Sequence, residues 1–303
     1  MNSFAIITDS CGDLNAENRR YYDVDYVPMR LLYEKDGKSV DIPASLDWEI
    51  LSPKEFYDLM RGGTRVRTAQ VNSADYREKF TEYLEKGMDV LSISCSSALS
   101  ASFEGSKVIA AELAEKYPDR KIVCIDSLNS CLGLAILCMT ASALRSEGRT
   151  IYETAAYIEK NKLKMNQFAT VEDLTYLKRA GRVSAASAVF GGLLQVKPII
   201  ISDALGQNVA AEKVKGRKNS IARLIELAEK TFDPICPYQK IGVGHADAPE
   251  DAETVRRALA EKFPDVEIVV DYIGPIVGAS TGPGTIGVYC YGEEVTFADV
   301  PKK

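Results

Sequence analysis

The chain has 303 residues, of which 46% are hydrophobic and 26% are charged, and its 37 basic and 43 acidic groups give a net charge of -6. This composition is ordinary for a folded globular protein and excludes disordered, collagen-like and disulfide-scaffold proteins. The acidic balance also argues against nucleic acid as a partner, because nucleic-acid binding needs a basic surface. The length favours two domains, since a single core stops growing at about 250–300 residues.

Short apolar runs alternate with helical patterns through the first half of the chain. Residues 4–8 and 24–32 predict extended segments, and Asp36 and Gly37 predict a hairpin tip, because this dipeptide favours positive φ. Residues 52–55 form a capping box with proline at the first helical position, so a helix is predicted to begin there. Further helices are predicted at 73–86, 100–116, 131–147 and 150–162, with strands at 90–94 and 122–125. This alternation indicates a parallel sheet covered by helices on both faces.

After about residue 164 the pattern contains more strands. Strands are predicted at 168–171, 196–201, 209–214, 240–244, 266–273 and 285–291, with helices at 173–180, 219–231 and 249–262 and a small-residue stretch at 184–194. We therefore predict a two-domain α/β protein. Residues 1–164 form an N-terminal parallel sheet flanked by helices, and residues 165–303 form a C-terminal α/β domain with a mixed sheet.

The sequence predicts a cytoplasmic protein without an integral membrane segment. The apolar run at residues 4–7 is short and is followed by Thr8 and Asp9, unlike a signal peptide. Residues 127–144 are uncharged and reach the threshold length for a membrane span, but polar residues such as Asn129 and Thr140 favour a buried helix. Seven cysteines without a CxxC pair indicate buried thiols in a reducing cytosol, not a zinc site or a CxxC redox dithiol.

Two predicted strands end in an aspartate followed by a serine, at Asp9 and at Asp126. Ligands bind at the carboxyl edge of parallel sheets, although such residues also cap the following helix or turn. An aspartate nucleophile of the phosphatase type would need a second aspartate two residues later, which is absent, and a magnesium site with Asp13 is a further carboxylate alternative. The single histidine, His245, has no second histidine for a metal and no nucleophile nearby in sequence. A hydrolase or phosphotransferase that uses Asp9 or His245 in an interdomain cleft is therefore the enzymatic alternative.

Three other loops are rich in hydroxyl groups or glycine. Residues 94–102 contain five serines, residues 68–72 form a polar turn, and residues 278–284 contain glycines that allow close approach of a ligand. Hydroxyl groups can cap a helix or bind an anion, and both interpretations remain open for these loops. Neither GxxxxGK[ST] nor GxGxxG occurs, so ATP and dinucleotides lack motif support.

Taken together, these motifs resemble the DegV family over nearly the whole chain. They are the segments 8–14, 68–72, 96–100, 126–127, 177–182, 197–198, 245–247 and 282–284. The resemblance implies two α/β domains that hold one long-chain fatty acid, with the tail in a buried tunnel and the carboxylate at the domain junction. It also implies a carrier without its own catalysis and without a cofactor, which presents the acid to a fatty acid kinase and then carries the acyl phosphate.

The resemblance also assigns roles to individual residues. The ligand-binding positions are Thr68, Ser96, Ser97, Ser280, Thr281 and Gly282. Arg182 corresponds to an arginine that docks the kinase subunit, and Ser280 stands where many members carry a histidine. Candidate tunnel lining, for which ordinary core is the alternative, comprises Val189, Phe190, Leu193, Leu194, Ile199 and Ile201.

Overall fold

The computed structural model describes residues 3–184 and 196–299. Its strands are β1 (Phe4–Asp9), β2 (Val24–Val27), β3 (Arg30–Lys35), β4 (Lys38–Pro43), β5 (Arg67–Ala69), β6 (Asp89–Ser94), β7 (Ile122–Asp126), β8 (Met165–Thr170), β9 (Val183–Ser184), β10 (Val196–Ser202), β11 (Asn208–Lys215), β12 (Ile241–His245), β13 (Ile268–Tyr272) and β14 (Ile286–Tyr291). Its helices are α1 (Ala16–Tyr22), α2 (Pro53–Arg61), α3 (Ser73–Glu85), α4 (Ser102–Lys116), α5 (Cys131–Ser146), α6 (Ile151–Asn161), α7 (Leu174–Ala180), α8 (Arg217–Thr231), α9 (Pro249–Lys262) and α10 (Pro275–Thr281).

Two large sheets define the architecture. The first is parallel, with the strand order β2-β1-β6-β7, and every residue of β1 and β6 is buried because helices cover both faces. The second is mixed, with the order β13-β12-β14-β8-β10-β11-β9. The predicted fold class, a parallel sheet followed by a mixed sheet, is confirmed. The division of the chain at residue 164 stays a prediction.

A small antiparallel sheet in the order β4-β3-β5 stands beside the parallel sheet. Asp36 and Gly37 join β3 to β4 with φ values of 52° and 72°, which confirms the predicted hairpin tip. The single extended run predicted for 24–32 is wrong, because it divides into β2 of the parallel sheet and β3 of the small sheet. Pro28 lies at the break and lacks the N–H that a continuous ladder requires. The small sheet is functionally relevant because β5 carries Thr68, opposite Leu31.

The largely apolar helix α5 packs between the two large sheets. One face of α5 lies so close to β12 that a Cβ added to Gly242 of β12 would lie 2.9 Å from the Cβ of Leu132 in α5. Leu134 and Leu137 of α5 are fully buried in the same core as Tyr289 of β14. The predicted buried helix is therefore confirmed. Within residues 3–184 and 196–299, none of the helices has the length and apolarity needed to cross a membrane.

The glycine-rich segment at 278–284 differs from the prediction. Its first half belongs to α10, which begins with Pro275 at the first helical position and ends at Thr281. Gly282 follows with φ 81° and ψ 169°, a conformation open essentially only to glycine. Ser280 and Thr281 therefore lie on the last turn of a helix, which holds them more firmly than the predicted loop would.

Candidate functional site

A cavity of about 380 Å³ opens where the carboxyl edge of the parallel sheet meets β5, α7 and α10. Both halves of the chain contribute to it, since Thr68 comes from the first half and Ser280 from the second. Its apolar lining comprises Met29, Leu99, Leu177, Val183, Ile276 and Val277. The cavity is thus a mainly hydrocarbon-lined space with polar groups at particular points of its wall.

Two hydroxyl groups in this wall are available to a ligand. Thr68 and Ser280 are both half-buried, and among the described residues neither hydroxyl has a hydrogen-bond partner. Thr281 also lines the cavity, but its hydroxyl donates to the Val277 carbonyl at 3.0 Å. The structure therefore brings three of the six expected ligand-binding residues to one cavity, and two of them retain a free O–H donor.

Ser96 and Ser97 lie away from the cavity lining, contrary to the expectation that their hydroxyls reach the ligand. Ser96 Oγ is fully buried, donates to the Gly206 carbonyl at 2.8 Å and accepts from the Ala98 amide at 3.2 Å. Ser97 is exposed, and its amide donates to Asp126 Oδ1 at 3.1 Å. These contacts fix the turn after β6. The Ser96 hydroxyl therefore has the capping role that was the open alternative, whereas Ser97 contributes its backbone amide. Gly282 is likewise outside the lining and ends α10.

Ser100 is the residue of this serine run that lines the cavity. It lies one helical turn after Ser96, because its amide donates to the Ser96 carbonyl at 3.0 Å. Its hydroxyl pairs with Ser102 Oγ at 3.0 Å and accepts from the Ser102 amide at 3.2 Å. When Ser102 donates in that pair, the Ser100 proton is free to point into the cavity.

Arg182 is the charged side chain of the described cavity lining. Its Nε donates to the Leu99 carbonyl at 3.2 Å and its Nη1 to the Ala180 carbonyl at 2.9 Å, and the residue as a whole is exposed. It also lines an outer pocket of about 210 Å³ that shares Thr68 and Ser280 with the cavity. That pocket is further lined by Arg65, Arg67 and Arg179. The cavity therefore opens towards a strongly basic rim.

The expected tunnel lining is partly wrong. Ile199 belongs to the separate core around α8 and α9, and Ile201 packs against that core, so neither lines the cavity. They follow the ordinary alternation of a buried strand. The remaining expected residues, Val189, Phe190, Leu193 and Leu194, lie outside the described residues.

The groups of the enzymatic alternative are occupied by structural contacts. Asp9 is fully buried and accepts from the Cys11 amide at 3.0 Å and the Cys95 amide at 2.8 Å. Burial raises the pKa of its carboxyl to about 6, although both amides oppose the shift. His245 Nδ1 accepts from the Ala248 amide at 3.3 Å, and burial lowers the pKa of the ring. No cluster of His, Cys, Asp or Glu suited to a metal occurs within the described part of the chain, the magnesium alternative included.

The fold and site define an α/β protein with an internal, mainly apolar cavity and hydroxyl donors in its wall. The chain belongs to the DegV family, since the model of that family, described as an uncharacterised protein family, matches residues 3–293. A DegV domain-containing protein of Clostridium perfringens is 37% identical over 294 residues, covering 97% of this chain and 99% of the relative. The protein DegV of Bacillus subtilis is 29% identical and is covered over 99% of its length.

Solved structures agree with this membership. The structure of Bacillus subtilis DegV, described as a fatty acid binding protein, matches with a TM-score of 0.80 at 27% identity, over 96% of this chain and 100% of that one. A Thermus thermophilus DegV family protein, described by its fatty acid binding, matches with a TM-score of 0.82 at 26% identity, over 97% and 100% of the two chains. A Thermotoga maritima DegV lipid-binding protein has a TM-score of 0.83 at 24% identity, over 97% and 100%, and supports the fold alone.

Proposed function

We propose that the chain binds one long-chain fatty acid, with the tail in the 380 Å³ cavity and the carboxylate at the hydroxyls of Thr68 and Ser280. The observation that carries this proposal is the pair of unpartnered hydroxyl donors in an otherwise mainly apolar wall. A carboxylate that leaves water must find donors, and charge-assisted hydrogen bonds from hydroxyls supply them. Related proteins of known structure that are described as fatty-acid-binding support the same ligand class.

Contact with the apolar lining supplies the favourable free energy of binding the acyl tail. Burial contributes about 0.8 kcal/mol per methylene, so a long acyl chain gains a gross term of order 10 kcal/mol. Association costs at least about 4 kcal/mol of this gain. The head-group donors therefore decide orientation and selectivity more than gross affinity. Ser100, Thr281 and Arg182 complete the proposed head-group surroundings.

Thr68→Val removes the free hydroxyl but keeps the shape of the side chain on β5. We expect palmitate binding to weaken by about 1–3 kcal/mol, or about 5- to 150-fold in Kd, because the carboxylate loses a hydrogen bond in a partly dry site. Isothermal titration calorimetry on delipidated protein measures this change. The matched control is Ser97→Ala, which removes an exposed hydroxyl outside the cavity and should leave Kd unchanged. Equal Kd values for Thr68→Val and the parent protein would remove Thr68 from the site.

We further propose that the chain presents the bound acid to a fatty acid kinase and carries the acyl phosphate, without catalysis of its own. The exposed face of Arg182, beside the cavity and the outer arginine pocket, supports a docking role at the point where the head group would emerge. All seven cysteines are free thiols, which supports the cytoplasm as the location.

Arg182→Ala should lower acyl phosphate formation by the cognate kinase at least about tenfold, as expected for a charged group in a protein interface. The measurement is acyl phosphate production from palmitate-loaded protein, kinase and ATP. Arg149→Ala, an exposed arginine at the start of α6, is the control and should leave the rate unchanged. An unchanged rate with Arg182→Ala would contradict the docking role.

A further inference from the structure

Three cysteines that are far apart in sequence converge near the cavity, and two of them, Cys11 and Cys95, line it. The Asp9 carboxylate holds two of them, because it accepts from the backbone amides of both Cys11 and Cys95. Cys131 is hydrogen-bonded to the backbone of Cys11, since the Cys131 amide donates to the Cys11 carbonyl at 2.7 Å. The cluster therefore rests on the ends of β1 and β6 and the start of α5, which are rigid parts of the fold.

Within this cluster, Cys11 and Cys95 form a pair. Their backbone amides donate to the two oxygens of the Asp9 carboxylate, and their thiols are close enough for each to shift the pKa of the other. Both line the cavity, although only 3% of Cys11 and 1% of Cys95 are exposed to solvent. Cys131 is absent from the described lining, and its thiol lies beside the Asp13 carboxyl. A reagent therefore reaches the Cys11 and Cys95 sulfurs through the cavity.

We propose that Cys11 and Cys95 are an oxidisable thiol pair in the cavity wall, which a hydroperoxide converts to an intramolecular disulfide when the cavity is empty and which a bound acyl chain shields. The pair itself follows from the position of the two thiols. The shielding rests on the proposed function. A disulfide requires sulfurs about 2.05 Å apart, and the shared Asp9 carboxylate holds the two backbones side by side, so that a movement of the side chains can bring the sulfurs together.

The chemistry balances with hydrogen peroxide as the oxidant. The Cys95 sulfur attacks one peroxide oxygen, the O–O bond breaks, and Cys95 becomes a sulfenic acid as one water leaves. The Cys11 sulfur then attacks the Cys95 sulfur, the S–O bond breaks, and the second water leaves with the Cys11 proton. Two thiols are oxidised to one disulfide, and one peroxide is reduced to two waters.

The order of attack follows from the effect of each thiol on the pKa of the other. The neighbouring Cys95 raises the pKa of Cys11, whereas Cys11 opposes the rise that burial gives the pKa of Cys95. Cys95 is therefore the better nucleophile of the pair. Burial and the Asp9 charge still hold both pKa values above the ordinary range, so the reaction is expected to be slow at neutral pH.

The test treats the delipidated full chain with hydrogen peroxide and follows intact mass and a non-reducing peptide map. The expected result is a loss of two hydrogen atoms and a cross-link between the peptides of Cys11 and Cys95. Cys11→Ser and Cys95→Ser should each abolish the cross-link. Cys290→Ser, which changes a buried thiol of the separate core around α8 and α9, should retain it. The wild-type peptide map decides the question even where a variant fails to fold.

Palmitate at about 100 times its Kd should slow cross-linking about 100-fold, because only the empty fraction reacts. A peptide map without the Cys11–Cys95 cross-link, or with oxidation confined to one unpaired cysteine, would contradict the proposal that Cys11 and Cys95 form an oxidisable pair. An unchanged rate in protein that calorimetry shows to be loaded would overturn the shielding. Calorimetry without palmitate binding would instead refute the proposed function, and the cross-link in the empty chain would still decide the pair.

Discussion

Asp13→Asn is expected to stabilise the protein by up to about 4 kcal/mol at pH 8 and to change its stability little at pH 4. The carboxyl of Asp13 is buried in the junction between the two halves of the chain, and neither oxygen has a well-formed hydrogen bond among the described residues. Burial raises its pKa to about 7, only partly opposed by the nearby Cys131 thiol and Gly274 amide.

The direction of the pH dependence follows from proton linkage. A raised pKa means that the folded protein holds the Asp13 proton more tightly than the unfolded chain, whose carboxyl has its ordinary pKa of 3.8. The stability is therefore complete below about pH 4, declines as the pH rises towards 7, and stays low above pH 7. Asparagine cannot ionise, so the variant loses this decline. Burial also raises the pKa values of Asp9 and Asp271 to about 6, but these groups remain in both proteins and cancel in the difference.

Urea unfolding of the parent and Asp13→Asn between pH 4 and pH 9 measures the effect. Asp119→Asn changes an exposed carboxylate and serves as the control, with the pH profile of the parent expected. A stability difference between Asp13→Asn and the parent that is constant across this pH range would contradict an ionisable buried Asp13.

Gly282→Ala is expected to destabilise the protein by about 2–6 kcal/mol, as the sum of about 1–3 kcal/mol each for backbone strain and overpacking. Gly282 has φ 81°, and a Cβ there would overlap the ring of Tyr176. The ring cannot swing away freely, because its hydroxyl donates to the Met60 carbonyl at 3.1 Å. The Ser280 end of α10 would move with this turn, so palmitate binding should weaken as well.

Gly37→Ala separates the two contributions. Gly37 also has a positive φ, 72°, but a Cβ there would meet nothing within 4 Å. Only the strain contribution of about 1 kcal/mol is expected for it. Thermal and urea unfolding of both variants measure the difference. Equal losses for Gly37→Ala and Gly282→Ala would show that Tyr176 does not crowd this turn.

The sequence predicted the fold class well because hydrophobic periodicity and turn residues report directly on local structure. The capping box at Ser52 is present as expected, with Ser52 and Glu55 each bonded to the other's backbone amide. The break at Pro28 and the helix before Gly282 were missed. Pro28 and Pro275 are local signals, but which sheet each half of the run 24–32 joins, and whether residues 275–281 form a helix, depend on packing in three dimensions.

The candidate site was predicted less completely, because which serine faces a cavity depends on tertiary contacts. The resemblance drew attention to the segments of Thr68 and Ser280, which the structure places at one cavity, and their role in ligand binding stays a prediction. Within the serine run, the sequence could not tell Ser96, which binds the Gly206 carbonyl more than 100 residues away, from Ser100, which lines the cavity. The sequence also could not predict that Cys11 and Cys95 lie side by side, since their positions follow from the pairing of β1 with β6.

The most direct test of the central claim is mass spectrometry of an organic extract of the purified full-length protein, combined with reloading of the stripped chain. The proposed function predicts about one long-chain fatty acid per chain, displaced by added palmitate and bound less tightly by Thr68→Val than by Ser97→Ala. An extract without stoichiometric lipid, together with failure of the stripped chain to bind any long-chain acid, would contradict it.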